Sequence, residues 1–349
     1  MTLGMPQARN SSDGSYVVVI GSGSIGRRHA SNLVKLGADV GVVSGRVEQR
    51  KYWATQLPEN RIFATEAKAL ASSPDAVVIA NVTSRHLDSA IAAAERGCAL
   101  FIEKPLSNCA DKVRSLSDLA ESRGLVVEIG CMLRLHPNLL FIHQFLRDLG
   151  EPIYTVRACV GQYLPDWRPD RDHRSSYSAI SEQGGGAIFD LIHELDLVHW
   201  LVGQADLVAA SAIPGDMLNI CTEAAAQILL RIGPATIAAI QLDYLRPRLN
   251  RTLEIVGSFG QLEWDYETAA VSLVDRVHGV RRIHQVPNFE RNDMFIDHMK
   301  HFLARVSDPN IPPVVSLQDG IAVLSIALAA HRSLAEGCFV RPAIDEGAR

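Results

Sequence analysis

The sequence predicts an α/β chain: a doubly wound parallel sheet, then an α+β domain built on a large, mostly antiparallel open sheet. Three observations predict this. Between residues 16 and 129, short β-branched runs alternate with helix-compatible segments. Beyond residue 150, strand-like runs follow one another with only turns between them. The first run also passes directly into a glycine-rich turn and an amphipathic helix. A length of 349 residues suits two domains at roughly 150 residues each, and 47% hydrophobic residues supply the cores.

In the first half the apolar runs are Tyr16–Ile20, Asp39–Val43, Ala76–Ala80, Ala99–Ile102 and Leu125–Ile129. Between them lie the helix-compatible segments Ile25–Leu36, His86–Arg96 and Asn108–Arg123. Buried strands alternating with helices make parallel βαβ units. In the second half Ile153–Gln162, Cys221–Ile232, Ala235–Tyr244, Arg251–Gly257, Gln261–Asp265, Ala269–Val274 and Val280–Val286 read as strands. Gly233-Pro234 and Gly257–Gly260 supply turns. Helices over Ala187–Val202, Asn292–Val306 and Ser316–Leu334 are expected to cover one face of that sheet. The boundaries expected are a polar tail over 1–15, a first domain over 16–131 and a second over 132–349.

Composition excludes more than it assigns. A net charge of −5 argues against a protein built on nucleic-acid phosphates. No window of some 18 uncharged apolar residues is present, so a membrane span is not expected. The six cysteines are scattered without a Cys-x-x-Cys pair, which reads as buried reduced thiols and neither a disulfide framework nor a zinc site. The polar start lacks the apolar centre of a signal peptide, so the cytoplasm is the expected compartment.

The glycine-rich turn reads Gly21-Ser22-Gly23-Ser24-Ile25-Gly26. Strand, G-x-G-x-x-G and helix in that order is the Rossmann context for a dinucleotide pyrophosphate, which meets the free N–H groups of the helix start. An acid about 20 residues on, at the end of the second strand, marks a preference for NAD. Here that stretch is Ser44-Gly45-Arg46, and Asp39 comes at the strand's start. A hydroxyl followed by a cation suits a 2′-phosphate, so NADP is expected over NAD; the alternative is an Arg46 that merely opens a surface helix.

Ala99–Ile102 ends in Glu103-Lys104-Pro105. Ligands of open parallel sheets bind at the carboxyl ends of strands, which places Lys104 at the cofactor crevice, where it could stabilise a developing alkoxide. Without further context a surface Glu-Lys pair explains the same residues. A second cluster, residues 184–201, has three glycines before a helix bearing Asp190, His193, Asp196 and His199. Asp190 and His193 are expected on one helix face, with His193 a base oriented by the carboxylate. A buried histidine with a structural acid is the plain alternative. Leu197 stands where a zincin needs histidine, and His298-x-x-His301 reads as a partly exposed helix face. The loop YLPDWRPDRDHR, residues 163–174, carries Trp167-Arg168, which could cover a nicotinamide or touch a sugar; a solvated connecting loop is the plain alternative.

Taken together, GSGSIGRRH, FIEKPLS, CMLRLHP, GGGAIFDLIHELD and the C-terminal VVSLQDGIAVLSIALAAHRSLAEG resemble the Gfo/Idh/MocA oxidoreductase family over nearly the whole chain. The resemblance implies a Rossmann domain, a C-terminal domain with a large open sheet, and a homodimer or homotetramer assembled through that sheet. It implies that Lys104 contacts the reacting hydroxyl, that His193 is the acid/base and that Asp190 is its partner. Ala80, Asn81 and Val82 occupy the family stretch beside the nicotinamide, and His86 and Glu103 fall on further family positions. Arg134 follows the last Rossmann strand and is expected to face substrate. Trp167-Arg168 is similar to a Trp-Arg that contacts cofactor in some members. This chain departs in the Asp–His spacing, three where four is usual, and in Asn81-Val82 where the family has Thr-Pro.

The expected activity is therefore reversible hydride transfer between a nicotinamide dinucleotide and a carbinol carbon of a sugar, a sugar derivative such as a nucleotide sugar, or an inositol. Two alternatives share the fold: an NAD-dependent glycosidase acting by transient oxidation, and a non-catalytic cofactor or sugar sensor.

Overall fold

The computed structural model describes residues 14–344, so most of the polar tail expected over 1–15 lies outside the described residues. The strands of the first sheet are β1 (Tyr16–Ile20), β2 (Asp39–Val43), β3 (Ile62–Phe63), β4 (Ala76–Ile79), β5 (Ala99–Ile102) and β6 (Val127–Ile129). They are joined through helices α1 (Ser24–Lys35), α2 (Val47–Trp53), α3 (Glu66–Leu70), α4 (His86–Ala94) and α5 (Val113–Arg123). All pairings are parallel, in the order β3-β2-β1-β4-β5-β6. The strand order reverses between β1 and β4, which opens a crevice at their carboxyl ends. Both faces of these strands are covered, and YVVVI of β1 is buried at every position.

Helix α6 (Pro137–Leu149) leads into the second sheet, starting with β7 (Ile153–Gly161). Next come α7 (Ala187–Asp190) and α8 (His193–Val202), then β8 (Leu207–Pro214), β9 (Glu223–Ile232) and β10 (Thr236–Asp243). The sheet continues with β11 (Asn250–Gly257), β12 (Gly260–Asp265), β13 (Ala270–Asp275) and β14 (Gly279–Gln285), and α9 (Arg291–Ser307) and α10 (Leu317–Glu336) follow. Its order is β14-β13-β12-β11-β7-β10-β9-β8, antiparallel throughout except for the parallel β7–β10 pair. Alternate residues of β9 are buried, so one face packs on helices and the other stays open.

Four sequence expectations are corrected. Strand β8 and helix α6 lie where no element is expected. The single helix over Ala187–Val202 is broken at Leu191-Ile192. Helix α9 does not cover the second sheet: Met299 and Phe302 pack with Val17, Val19 and Phe101 of the first. Full burial of such side chains contributes about 1.5–3 kcal/mol each, which is enough to hold a C-terminal helix on the N-terminal sheet. Finally, the six cysteines are all unpaired, but only Cys98 and Cys131 are buried while Cys109, Cys221 and Cys338 are exposed.

Candidate active site

The glycine turn sits at the crevice and its shape fits a dinucleotide. A Cβ on Gly21, which has φ +112°, would meet the carbonyl oxygen of Ala80 at 2.3 Å, so the turn seats directly on the end of β4. One on Gly26 would meet the oxygen of Gly21 at 2.0 Å, and this closeness needs glycine at both places. A Cβ on Gly23 would meet nothing within 4 Å, so the outer side of the turn is open. Gly23 is also the N-cap of α1 and brings no side chain to it, leaving first-turn N–H groups for an anion. Ile25 packs against the core beneath the turn.

At the end of β2, the hydroxyls of Ser44 and Ser22 lie 2.7 Å apart. Arg50 donates to the Ser44 carbonyl at 2.8 Å. Arg46 is exposed at the N-cap of α2. Asp39, at the far end of the strand, is engaged by Arg61. The rim beside Ser44 is thus hydroxyl and cation.

At the end of β5, Glu103 turns back into the protein. Its Oε1 lies 2.6 Å from His29 Nε2 on α1, and its Oε2 accepts from the Lys104 amide at 3.2 Å. Burial alone would raise this carboxyl, but His29, Lys104 and His86 outweigh it and hold it below the usual range. His86 lies equally deep, its Nδ1 2.8 Å from the Pro105 carbonyl and its Nε2 3.3 Å from that of Asn81. Burial pushes its imidazole down. Glu103 and His86 therefore brace the turns that carry Lys104 and Asn81. Asn81 donates to Ser89 at 2.8 Å, and Val82 opens the turn before α4.

Lys104 points the other way, across to the second sheet's helices. Its Nζ donates to the Asp190 carbonyl at 2.6 Å and lies 3.4 Å from Oδ1. The Asp190 carboxylate is filled on its other sides: Tyr177 donates to Oδ1, Ser178 to Oδ2 at 2.7 Å and Tyr244 to Oδ2 at 3.2 Å. Burial, with the carboxylate's charge, pushes both tyrosine hydroxyls well above their ordinary range. The expected Asp190–His193 pairing is corrected. The break at Leu191-Ile192 leaves Asp190 at the end of α7 and His193 at the start of α8, and the aspartate serves Lys104 instead. His193 is 5% exposed, and its buried Nδ1 has no hydrogen-bond partner. Burial, reinforced by Lys104, Arg251 and Arg291, holds its imidazole well below the ordinary value and so neutral near pH 7.

The three glycines before α7 let segments approach. A Cβ on Gly186, at φ +107°, would strike the Glu223 carboxylate, which accepts from the Ile188 amide at 2.9 Å and caps the helix. From the 163–174 loop, Arg168 Nη2 reaches Ser24 Oγ at 2.9 Å, closing on the start of α1. Trp167 packs edge-on to Tyr244 and donates to the Gln162 carbonyl at 3.2 Å.

Two further assignments are corrected. Arg134 does not face substrate; it is 3% exposed, with Nη2 2.7 Å from Asp196 and 3.3 Å from Asp319. The long side chain reaches inward because Asp196, 0% exposed on α8, requires a counter-charge. His298 is likewise no exposed helix face: it is buried, 3.1 Å from Glu128, which also holds Arg305 and the Val315 amide. The residues that sequence spacing misses are Tyr177, Ser178, Tyr244, Arg251, Arg291 and His29. Only His29 carries a local signal, three residues beyond the last glycine of the turn.

A model described as oxidoreductase family, NAD-binding Rossmann fold, matches residues 16–131, and the GFO/IDH/MocA C-terminal domain matches residues 148–263. The chain is 33% identical over 197 residues to an inositol 2-dehydrogenase/D-chiro-inositol 3-dehydrogenase of Shouchella clausii, covering 54% of this chain and 53% of that one. It is 31% identical over 186 residues to a UDP-N-acetylglucosamine 3-dehydrogenase of Acidithiobacillus ferrooxidans, covering 53% of each. The match thus spans about half the length of these curated relatives. Among solved structures, a levoglucosan dehydrogenase in complex with NADH superposes with a TM-score of 0.83 at 18% identity, over 95% of this chain and 99% of that one. GenD2 from gentamicin A biosynthesis, in complex with NAD, gives 0.79 at 24% identity, over 97% and 99%. Likeness at that identity speaks for the fold, whereas the two matched models reach into both sheets: the chain belongs to the Gfo/Idh/MocA oxidoreductase family.

Proposed function

We propose that the chain transfers hydride between a nicotinamide dinucleotide and the CH–OH or C=O carbon of a sugar, a sugar derivative or an inositol. The observation that carries this is Lys104, held by Asp190 at the end of β5 where strand ends meet the crevice. When bound, the dinucleotide supplies or takes up the hydride. Lys104 gives two of its three N–H groups to Asp190, and the third donates to the reacting oxygen. His193, neutral through burial, takes the hydroxyl proton in oxidation and returns it in reduction. Arg168 and the start of α1 hold the pyrophosphate, with Trp167 behind them.

For the cofactor, NADP is favoured over NAD. Ser44 and Arg46 stand where a ribose-binding carboxylate would, and Asp39 is committed to Arg61. Residues 16–131 are assigned to the cofactor and 132–349 to substrate and assembly. The open face of the second sheet is the proposed surface for a homodimer or homotetramer. It holds a groove of about 660 Å³ lined by alternate residues such as Arg157, Gln241, Glu254 and Glu263, away from Lys104. Among the described residues no helix is long and apolar enough to cross a membrane.

The deciding experiment is a panel of sugars, sugar phosphates, nucleotide sugars and inositols with NADPH or NADH and their oxidised forms, followed by nicotinamide absorbance. Turnover of at least one substrate is expected. Absence of turnover across the panel, with cofactor bound, refutes the proposal.

A further inference from the structure

The residue before Lys104 is tied to the helix that opens at the glycine turn. Glu103 puts one carboxylate oxygen 2.6 Å from His29 Nε2 on α1 and takes the Lys104 amide on the other at 3.2 Å. Its chain rests on Gly130, where an added Cβ would meet Glu103 Cδ at 3.0 Å and Cα at 3.1 Å. The Glu103 amide donates to the Ile79 carbonyl at 2.9 Å. Glu103 is therefore held from α1, from the end of β4 and from the turn after β6.

The histidine is equally fixed. The His29 ring is 1% exposed and meets Phe101 and Phe295 edge-on, at 5.2 and 5.8 Å between centroids. It lies five residues beyond Ser24, about 7.5 Å along the helix axis. The close approach of Gly26 to Gly21 leaves α1 no slack against the strand ends. One helix thus carries both the turn open to a dinucleotide and the group that holds the residue before Lys104.

Burial makes this pair costly. The two side chains are 1% and 9% exposed, and apolar residues of similar volume would serve a purely structural wall as well or better. The carboxylate also meets the lysine's amide and not its ammonium, which goes to Asp190. It fixes where Lys104 stands and does not balance its charge.

We propose that His29 is a positioning residue for hydride transfer: through Glu103 it locks the strand end bearing Lys104 to the helix that seats the dinucleotide. The spacing between lysine and nicotinamide is set by that one contact. This rests on the hydride-transfer reading. A misplacement of about 1 Å at a reacting group costs up to roughly 100-fold in rate, so the spacing bears directly on turnover.

The test exploits reach. A glutamine amide nitrogen falls near the place of an imidazole Nε2, whereas asparagine stops short of it. His29→Asn is expected to lower kcat by about 10- to 100-fold, with cofactor affinity and substrate KM held within about twofold. His29→Gln should recover most of the loss. In a Lys104→Ala background His29→Asn should cost nothing further, because its effect runs through the lysine. A merely structural histidine gives Asn and Gln variants that behave alike, and losses that multiply in the double variant; either result overturns the proposal. If His29→Asn does not fold, the paired His29→Leu and Glu103→Leu variant removes both partners without stranding a charge, and should show the same fall in kcat.

A second reading needs no substrate. Acetic anhydride labelling, followed by peptide mass spectrometry, compares Lys104 with the exposed Lys51. Lys104 should label several-fold faster relative to Lys51 in His29→Asn or the paired leucine variant, because a loosened strand end frees Nζ from the Asp190 carbonyl. His29→Gln should label like the unmodified protein. Unchanged labelling in a folded variant overturns the positioning role. Faster labelling with no turnover of any substrate in the panel keeps the tether and removes the hydride-transfer reading instead.

Discussion

Lys104 and Asp190 meet across the two sheets, the lysine's Nζ 2.6 Å from the aspartate's carbonyl and 3.4 Å from its carboxylate. The residues are 86 positions apart in sequence, and each is fixed by its own scaffold. Glu103 and His29 anchor the strand end behind Lys104, while Tyr177, Ser178 and Tyr244 hold Asp190. In the proposed mechanism Asp190 is thus a positioning residue for the lysine, and His193 has no carboxylate at its buried Nδ1.

This division of labour predicts how variants combine. Lys104→Ala and His193→Ala should each lower turnover by about 100- to 10,000-fold while cofactor binding is retained. In a double-mutant cycle, Lys104 and Asp190 should couple by about 1–3 kcal/mol, and Asp190 with His193 by much less. Near wild-type turnover in both single variants, on an identified substrate, would remove the assignments.

Arg46 should select between dinucleotides. Arg46→Ala is expected to weaken NADPH by about tenfold, as loss of one charged hydrogen bond does, and leave NADH unaffected. Paired fluorescence titrations check it; much tighter NADH binding by the unmodified protein would contradict the preference.

Arg134 should behave as a structural residue. Removing one partner of a buried ion pair costs about 3–5 kcal/mol, so Arg134→Ala should show that loss in denaturant unfolding. In whatever fraction stays folded, KM should be unchanged, whereas a rise in KM at unaltered stability would return Arg134 to the substrate site.

Stability should fall on acidification from about pH 6.5 towards 4. Burial depresses His136 to about 4, and the same cause lowers His86, His193 and His331. Where the folded pKa lies below the unfolded one, the unfolded chain binds the proton first as pH drops. No penalty arises above the unfolded value, and the full penalty is reached below the folded one. For His136 a shift of roughly 2.5 units corresponds to about 3 kcal/mol. His136→Asn keeps an acceptor for the Asn138 amide and should flatten the melting temperature against pH; an unaltered profile would exclude His136 as a source.

The sequence by itself determined the parallel βαβ half and the glycine turn, and it singled out Lys104 and His193 as candidates. These depend on local pattern: period, turn chemistry and motif order survive in one dimension. It also supplied most second-sheet strands, because an amphipathic strand shows its alternation. Tertiary structure alone decided that α9 returns to the first sheet, since an apolar helix face does not encode which sheet it covers. Only the fold broke the helix between Asp190 and His193, turned Arg134 inward to Asp196 and gathered Tyr177, Ser178 and Tyr244 on one carboxylate. Buried charges take whichever partner the packing brings within reach, and that partner is set by three-dimensional proximity, not by spacing along the chain.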